Sequence, residues 1–135
     1  LQEKILLLVE YSKDGIHFKT SPHICINYEY DGEAMGRPWV IKDKDIYKMW
    51  FSTRGSIDYR KKEGQHYTIT YAESKDGINW IRKPEKFNLT TSIEGWDSEM
   101  IEYCSVIKHE NKYFMFYNGN GFGKTGFGYA IYEDD

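Results

Sequence analysis

An acidic segment near residue 100 gathers side chains of the types that bind polar ligands. The run from Glu94 to Glu102 carries four carboxylates and one indole. Asp97 and Glu99 can accept hydrogen bonds from ligand hydroxyl groups, and Trp96 can stack on a ring. The same pattern is also typical of a solvated loop whose tryptophan packs on the core. The segment is therefore a candidate binding loop, with a purely structural role as its alternative.

A glycine-rich stretch from Asn118 to Gly126 imitates a nucleotide-binding motif. Its glycines satisfy the pattern G-x-G-x-x-G. That pattern binds phosphate where a helix follows, because the amides at the helix N-terminus meet the phosphate. Here the following residues, 127–132, alternate like a strand. We therefore predict a hairpin loop, in which Asn118 and Asn120 are candidate hydrogen-bonding partners for a ligand.

The composition restricts the class of protein. The chain has 135 residues with 18 Lys+Arg against 21 Asp+Glu, a formal charge of −3. This balance argues against a nucleic-acid partner, because no basic surplus exists to displace counterions. No apolar run approaches the roughly 20 residues of a membrane helix, so we predict no membrane partner.

Cysteine and histidine are too sparse to suggest a disulfide framework or a metal centre. Cys25 and Cys104 read as small buried hydrophobes, which favours a reducing, cytoplasmic location. The four histidines have no metal-ligand spacing. We predict no cofactor and no metal site, with calcium bound by the carboxylates of Asp97 and Glu99 as the open alternative.

Internal repeats organise the chain. The stretch Tyr11 to Phe18 returns as Glu73 to Trp80, and Val40 to Phe51 returns as Val106 to Tyr117. Within each unit apolar and polar residues alternate, which indicates β-strands. The Asp-Gly pairs are typical of tight turns. In the complete unit we predict four strands, at about residues 38–43, 46–53, 66–74 and 78–83.

Four antiparallel strands in a repeated unit are typical of a β-propeller blade. The sequence thus predicts an all-β chain of about two blades, a single partial β-propeller domain over residues 1–135. Residues 1–20 would end one blade, residues 36–85 form a full blade and residues 100–135 form most of another. A ring needs at least four blades. We therefore expect either a longer protein or copies of this chain that associate to complete the ring.

Several motifs resemble the blades of five-bladed propeller glycosidases, glycoside hydrolase families 32, 43 and 130. They are Ser74 to Trp80, Gly36 to Lys42, Tyr47 to Ser52 and Thr125 to Ala130. The resemblance implies the C-terminal part of a protein of roughly 300 residues, with five blades of about 60 residues each. It also implies a carbohydrate ligand.

In these families an acid lies two positions before a proline in the first strand of a blade. Glu102 matches that position, with Cys104 in place of the proline, so the resemblance implies that Glu102 is a general acid. A glycosidase also needs a second carboxylate. In the previous blade Arg37 stands where an acid is expected. It can bind a carboxylate or phosphate, or form a structural ion pair with Glu33 or Glu102.

Three functions remain open at this point. The first is a glycoside hydrolase that acts on a glycan or sugar conjugate, with Glu102 as its acid. The second is a propeller that binds carbohydrate without catalysis, and the third is a propeller that binds other proteins. The carboxylates around Trp96 favour the first two, since a plain scaffold would not need them.

Overall fold

The computed structural model describes residues 5–133, and these residues form antiparallel β-sheets with very little helix. The strands are β1 (Leu8–Ser12), β2 (Phe18–Ile24), β3 (Ala34–Asp43), β4 (Ile46–Arg54), β5 (Thr68–Ser74), β6 (Ile81–Arg82), β7 (Glu102–His109), β8 (Lys112–Asn118) and β9 (Phe127–Glu133), with a 3-10 helix at Pro84–Lys86 and a helical turn at Asn120–Gly123. Residues 1–4 and 134–135 of the predicted domain lie outside the described residues.

Three successive sheets follow the order of the chain. The first is the hairpin β1-β2, the second contains β3-β4-β5-β6 in sequence order, and the third contains β7-β8-β9. All neighbouring strands are antiparallel. The expected all-β, partial propeller-like fold is confirmed.

The predicted strands of the middle sheet differ from the observed ones mainly at two ends. β3 begins at Ala34, before the predicted start, because the ladder to β4 continues on the other side of a bulge that contains Pro38. β6 is only Ile81–Arg82, because the residues before it are held in the Asp-Gly turn. The predicted hairpin between β8 and β9 is present, with a helical turn in its loop.

The two Asp-Gly turns have the same hydrogen bonds. In the first, Ser12 Oγ accepts from the Gly15 amide at 2.9 Å and Asp14 Oδ1 accepts from the His17 amide at 2.8 Å. The equivalent bonds in the turn at 74–79 measure 2.9 and 2.8 Å. The glycine has φ of +75° in both turns, a conformation that side chains with a Cβ rarely adopt. The sequence repeat is therefore a structural repeat of turn chemistry.

Two apolar clusters fill the spaces between the sheets. The first lies between the hairpin β1-β2 and the middle sheet, with Leu7, Ile26, Met35, Met49, Phe51 and Ala72. The second lies between the middle and last sheets, with Trp50, Ile69, Tyr71, Ile101, Cys104, Val106, Tyr113, Met115 and Tyr117. Cys104 is buried and unpaired, as expected for a small hydrophobe.

An ionic network joins the middle and last sheets at the β3-β4 turn. Asp43 accepts from Lys108 Nζ at 2.6 Å, from Lys48 Nζ at 2.8 Å and from the Tyr113 hydroxyl. The bonds from Lys108, Lys48 and Tyr113 hold the pKa of the Asp43 carboxyl well below its usual range. The Asp43 side chain is only 9% exposed. Its removal therefore leaves two ammonium groups close together without their shared anion.

We expect Asp43→Asn to lower the free energy of unfolding by about 2 kcal/mol, since an amide cannot neutralise the two lysines. Urea denaturation of the full-length protein at pH 7 measures the change. Asp45→Asn is the matched control, because Asp45 is exposed in the same turn. It should shift stability by less than about 0.5 kcal/mol. Equal effects of the two substitutions would contradict a stabilising role for the network.

Candidate functional site

Two β-bulges lie at equivalent positions of the middle and last sheets. The ladder register shifts after Gly36 in β3 and after Glu102 in β7. The next residue in each strand is in the left-handed region, Arg37 with φ of +51° and Tyr103 with φ of +52°. Such strain in residues other than glycine is costly and is concentrated at functional sites. The pair of bulges therefore directs attention to this end of the two strands.

The bulges bring Arg37 and Tyr103 together. The guanidinium carbon of Arg37 lies 5.2 Å from the centroid of the Tyr103 ring, within cation-π range. Both residues line a small cavity of about 90 Å³, whose walls are Ile5, Ala34, Met35, Gly36, Arg37, Arg54, Tyr67 and Tyr103. The sequence repeat thus produces one shared site from two different sheets.

Glu102 lies beside this cavity with its carboxyl fully buried. The residue is 0% exposed, and neither carboxyl oxygen has a hydrogen-bond partner within residues 5–133. Burial raises the pKa of Glu102 to about 7, although the positive charge of Arg37 acts in the opposite direction. A carboxyl group in such surroundings keeps its proton near neutral pH, which is the property of a general acid.

Arg54, Tyr59 and Tyr67 extend the site, although the sequence alone does not identify them. Arg54 stacks on the Tyr59 ring at 3.5 Å and donates to the Tyr67 hydroxyl at 3.0 Å. The Tyr67 ring meets the Tyr103 ring edge-on, with centroids 5.4 Å apart. The only available signal was that Tyr103 follows Glu102 directly. Nothing in the sequence indicates that Arg54, at the end of an ordinary strand, becomes buried.

Asn120 has a different environment from the one that the sequence suggested. Its side-chain oxygen accepts from the Glu99 and Met100 amides at 2.7 and 3.1 Å. Its side-chain nitrogen donates to the Gly95 carbonyl at 3.1 Å and to the Ser98 hydroxyl at 3.2 Å. These four bonds use the full capacity of the amide. In this conformation Asn120 holds the acidic segment in place and has no bond to offer a ligand.

Trp96 and Asp97 also contact the last sheet rather than Arg37 or Glu102. The Trp96 ring packs on Tyr117 with centroids 5.2 Å apart. It also lies so close to Gly128 that a Cβ there would be 2.6 Å from Cζ2 of the indole. Asp97 is buried and accepts from the Tyr117 hydroxyl at 3.1 Å. The packing role that was the alternative for Trp96 describes these contacts.

The remaining predicted site residues lie in between. Asn118 is half-buried and pairs with Glu102 across the β7-β8 ladder. The Glu99 side chain is exposed. Arg37 has no carboxylate within 4.0 Å in residues 5–133, so neither Glu33 nor Glu102 forms the ion pair that was its structural alternative. The structure therefore brings Arg37, Glu102 and Asn118 towards one site and leaves Trp96, Asp97 and Asn120 in a separate cluster.

Metal-ligating clusters and membrane-spanning helices are both absent from the described part of the chain. Residues 5–133 contain no group of three or more His, Cys, Asp or Glu side chains arranged to hold a metal ion. Within the same residues, no helix has the length and apolar character that a bilayer crossing demands.

No family model matches this sequence. Two similar proteins come from Mycobacterium tuberculosis, the uncharacterized protein Rv1502 of strain ATCC 25618 / H37Rv and the uncharacterized protein MT1551 of strain CDC 1551 / Oshkosh. Each is 37% identical over 124 residues, which are 91% of this chain. The chain spans 38% of the length of either relative.

Two solved structures have a similar fold. One is described as a glycoside hydrolase, with a TM-score of 0.69 and 24% sequence identity over 93% of this chain and 35% of the other. The second is described as a complex of BT0996 and RGII, with a TM-score of 0.66 and 25% identity over 93% of this chain and 34% of the other. The fold of this chain is therefore glycosidase-like, and its match is to about a third of each larger structure.

Protonation of Glu102 predicts a specific dependence of stability on pH. The pKa rises from an ordinary 4.5 to about 7 on folding, so the folded state holds the proton more tightly than the unfolded state. Glu102 therefore lowers the free energy of unfolding as pH rises from about 4.5 to 7, by about 2 to 3 kcal/mol in total. The difference between wild type and Glu102→Gln in urea denaturation at pH 5 and pH 8 measures this contribution. A difference that is the same at both pH values would contradict a raised pKa.

Proposed function

We propose that this chain is part of a glycosidase-like protein that acts on a glycan or sugar conjugate, with Glu102 as the general acid. The observation that carries the proposal is the buried carboxyl of Glu102, unpaired and with a pKa raised to about 7. It lies at the start of β7, next to a cavity in a glycosidase-like fold. In this role Glu102 donates its proton to the glycosidic oxygen as the bond to the sugar breaks.

The second carboxylate of the reaction comes from outside this cavity. None of the residues that line it is acidic, and Arg37 occupies the place where an acid was expected. Hydrolysis needs a carboxylate that either attacks the anomeric carbon or activates water. We assign that role to a blade beyond this chain, which agrees with the fraction of its relatives that the chain spans.

Replacement of Glu102 by glutamine removes the proton donor and keeps the shape of the side chain. We expect Glu102→Gln to lower kcat/KM by about 100- to 10,000-fold on alkyl glycosides, whose leaving groups need protonation. Activated aryl glycosides should lose much less, because their leaving groups depart as anions. The measurement is hydrolysis of both substrate types by the full-length protein, with circular dichroism to verify the fold.

Glu63→Gln is the matched control for this experiment, since Glu63 is exposed in the loop after β4. It should leave hydrolysis of both substrate types unchanged. An equal loss on alkyl and aryl glycosides in Glu102→Gln, or full retention of both, would remove Glu102 from the role of proton donor.

A carbohydrate-binding protein without catalysis is the second candidate function. The observation that favours it is the lack of an acidic residue among those lining the cavity beside Glu102. Saturable sugar binding by the full-length protein, with no hydrolysis of any bound glycan, would select this function over the first.

We also propose that a further blade covers the outer face of the last sheet. In the middle sheet the equivalent face is buried, with Trp50 and Tyr71 only 7% and 5% exposed and their centroids 5.2 Å apart. In the last sheet the corresponding pair is Phe116 and Tyr129, 37% and 60% exposed. The rest of a longer chain, or a second copy of this one, supplies the cover and closes the ring.

The mass of the isolated chain in solution tests this requirement. Because apolar surface of this kind is unfavourable in water, we expect the 135-residue chain alone to associate into species heavier than 16.0 kDa. Light scattering on a sizing column measures the mass. A stable monomer at high concentration would contradict the need for a covering blade.

A further inference from the structure

We propose that the cavity between the two bulges binds an anionic substituent of the sugar, such as a carboxylate, with Arg37 and Arg54 as its counter-charges. The inference rests on the proposed function, because it assigns a substrate class to the same site. It specifies a glycan that carries oxyanions, as opposed to a neutral one.

Arg54 supplies the first observation. It is a charged residue with only 9% of its surface exposed. Its bonds are to neutral acceptors, the Tyr67 hydroxyl at 3.0 Å and the Gly55 carbonyl at 2.9 Å. No carboxylate oxygen within residues 5–133 lies within 4.0 Å of it. Buried charges in proteins are normally paired, so a bound anion would complete the environment of Arg54.

Arg37 supplies the second observation, from a different sheet position. It also lacks a carboxylate within 4.0 Å among the described residues, and its guanidinium faces the Tyr103 ring. Arg37 and Arg54 line the same cavity. The buried Glu102 carboxyl beside them carries its proton below about pH 7 and then does not neutralise either arginine. Two planar guanidinium groups in one cavity match the geometry of a carboxylate or a phosphate.

The dimensions of the site divide the ligand into two parts. A volume of about 90 Å³ equals the share of about three water molecules in the liquid, which suits a carboxylate and not a whole sugar ring. A second cavity of about 630 Å³ shares Ile5, Ala34 and Arg54 with the first. The larger cavity accommodates the sugar ring, with Tyr28, Tyr30 and Tyr59 among its walls as surfaces for stacking.

The acidic residues of the larger cavity do not take up the charge of Arg54. Glu33 accepts from Arg82 at 2.8 Å and Glu29 accepts from Arg82 at 3.1 Å, so both face a different guanidinium. Glu33 also accepts from the Thr53 hydroxyl at 2.5 Å. The remaining acid, Asp31, is exposed. The attraction for an anion is therefore concentrated at the end of the cavity where Arg54 and Arg37 lie.

Calorimetric titration of the full-length protein tests the inference with defined probes. These are the methyl glycosides of glucuronic and galacturonic acid, their neutral glucose and galactose counterparts, and the corresponding 6-phosphates. We expect at least one acidic or phosphorylated probe to bind tenfold or more tightly than its neutral counterpart. A carboxylate preference identifies a uronic acid, and a phosphate preference identifies a sugar phosphate. Both results support the oxyanion site.

Two substitutions locate the preference. Arg54→Gln and Arg37→Gln should each reduce the ratio of acidic to neutral affinity by tenfold or more. Lys75→Gln, which removes a positive charge from an exposed turn, should leave the ratio unchanged. Arg37 is exposed, so its variant retains the test if Arg54→Gln does not fold.

The outcomes separate this inference from the proposed function. Equal affinity for acidic and neutral probes, together with turnover that depends on Glu102, would overturn the anionic site and leave the glycosidase intact. A preference that persists in both arginine variants would also overturn it. Absence of binding to all probes, together with absence of turnover, would overturn both.

Discussion

Burial of the Glu102 carboxyl between two sheets is the constraint on which the chemistry of this site depends. An unpaired carboxyl group in an apolar environment costs several kcal/mol if it is ionised, so it stays protonated near neutral pH. The apolar cluster between the middle and last sheets keeps water from it, since its neighbours Ile101, Cys104 and Val106 are each at most 5% exposed. The acid is thus a product of sheet packing, and any change that loosens the packing also changes its pKa.

Three contacts between distant parts of the chain fix that packing. The Tyr103 amide donates to Ser52 Oγ at 2.9 Å, and the Trp39 indole donates to the Val106 carbonyl at 2.7 Å. At the far end of the same strands, Asp43 joins lysines from both sheets. The bulges lie between these attachments, so their strained residues have no freedom to relax. This arrangement holds Arg37 against Tyr103 and places both beside the acid.

The repeat made much of the fold predictable from sequence. Local chemistry determines the Asp-Gly turns, because the hydrogen bonds of Ser12 and Asp14 are within the turn itself. Alternation of apolar and polar residues determines the strands, and the turns determine which strands pair. The length of β3 was predicted less well, because the bulge at Pro38 depends on the register against β4. The site was less predictable than the fold, since exposure and pairing of a side chain depend on residues far away in the sequence. Arg54 has the same local pattern as any strand residue, yet distant tyrosines enclose it.

The pKa of the Glu102 carboxyl in the full-length protein is the most direct test of its role as an acid. Carbon-13 NMR of protein labelled at glutamate carboxyls, with Glu102→Gln to assign the signal, gives the titration midpoint. We expect a midpoint of about 7. A midpoint near 4.5, the ordinary value for glutamate, would show that the carboxyl is ionised at neutral pH and would contradict its role as a general acid.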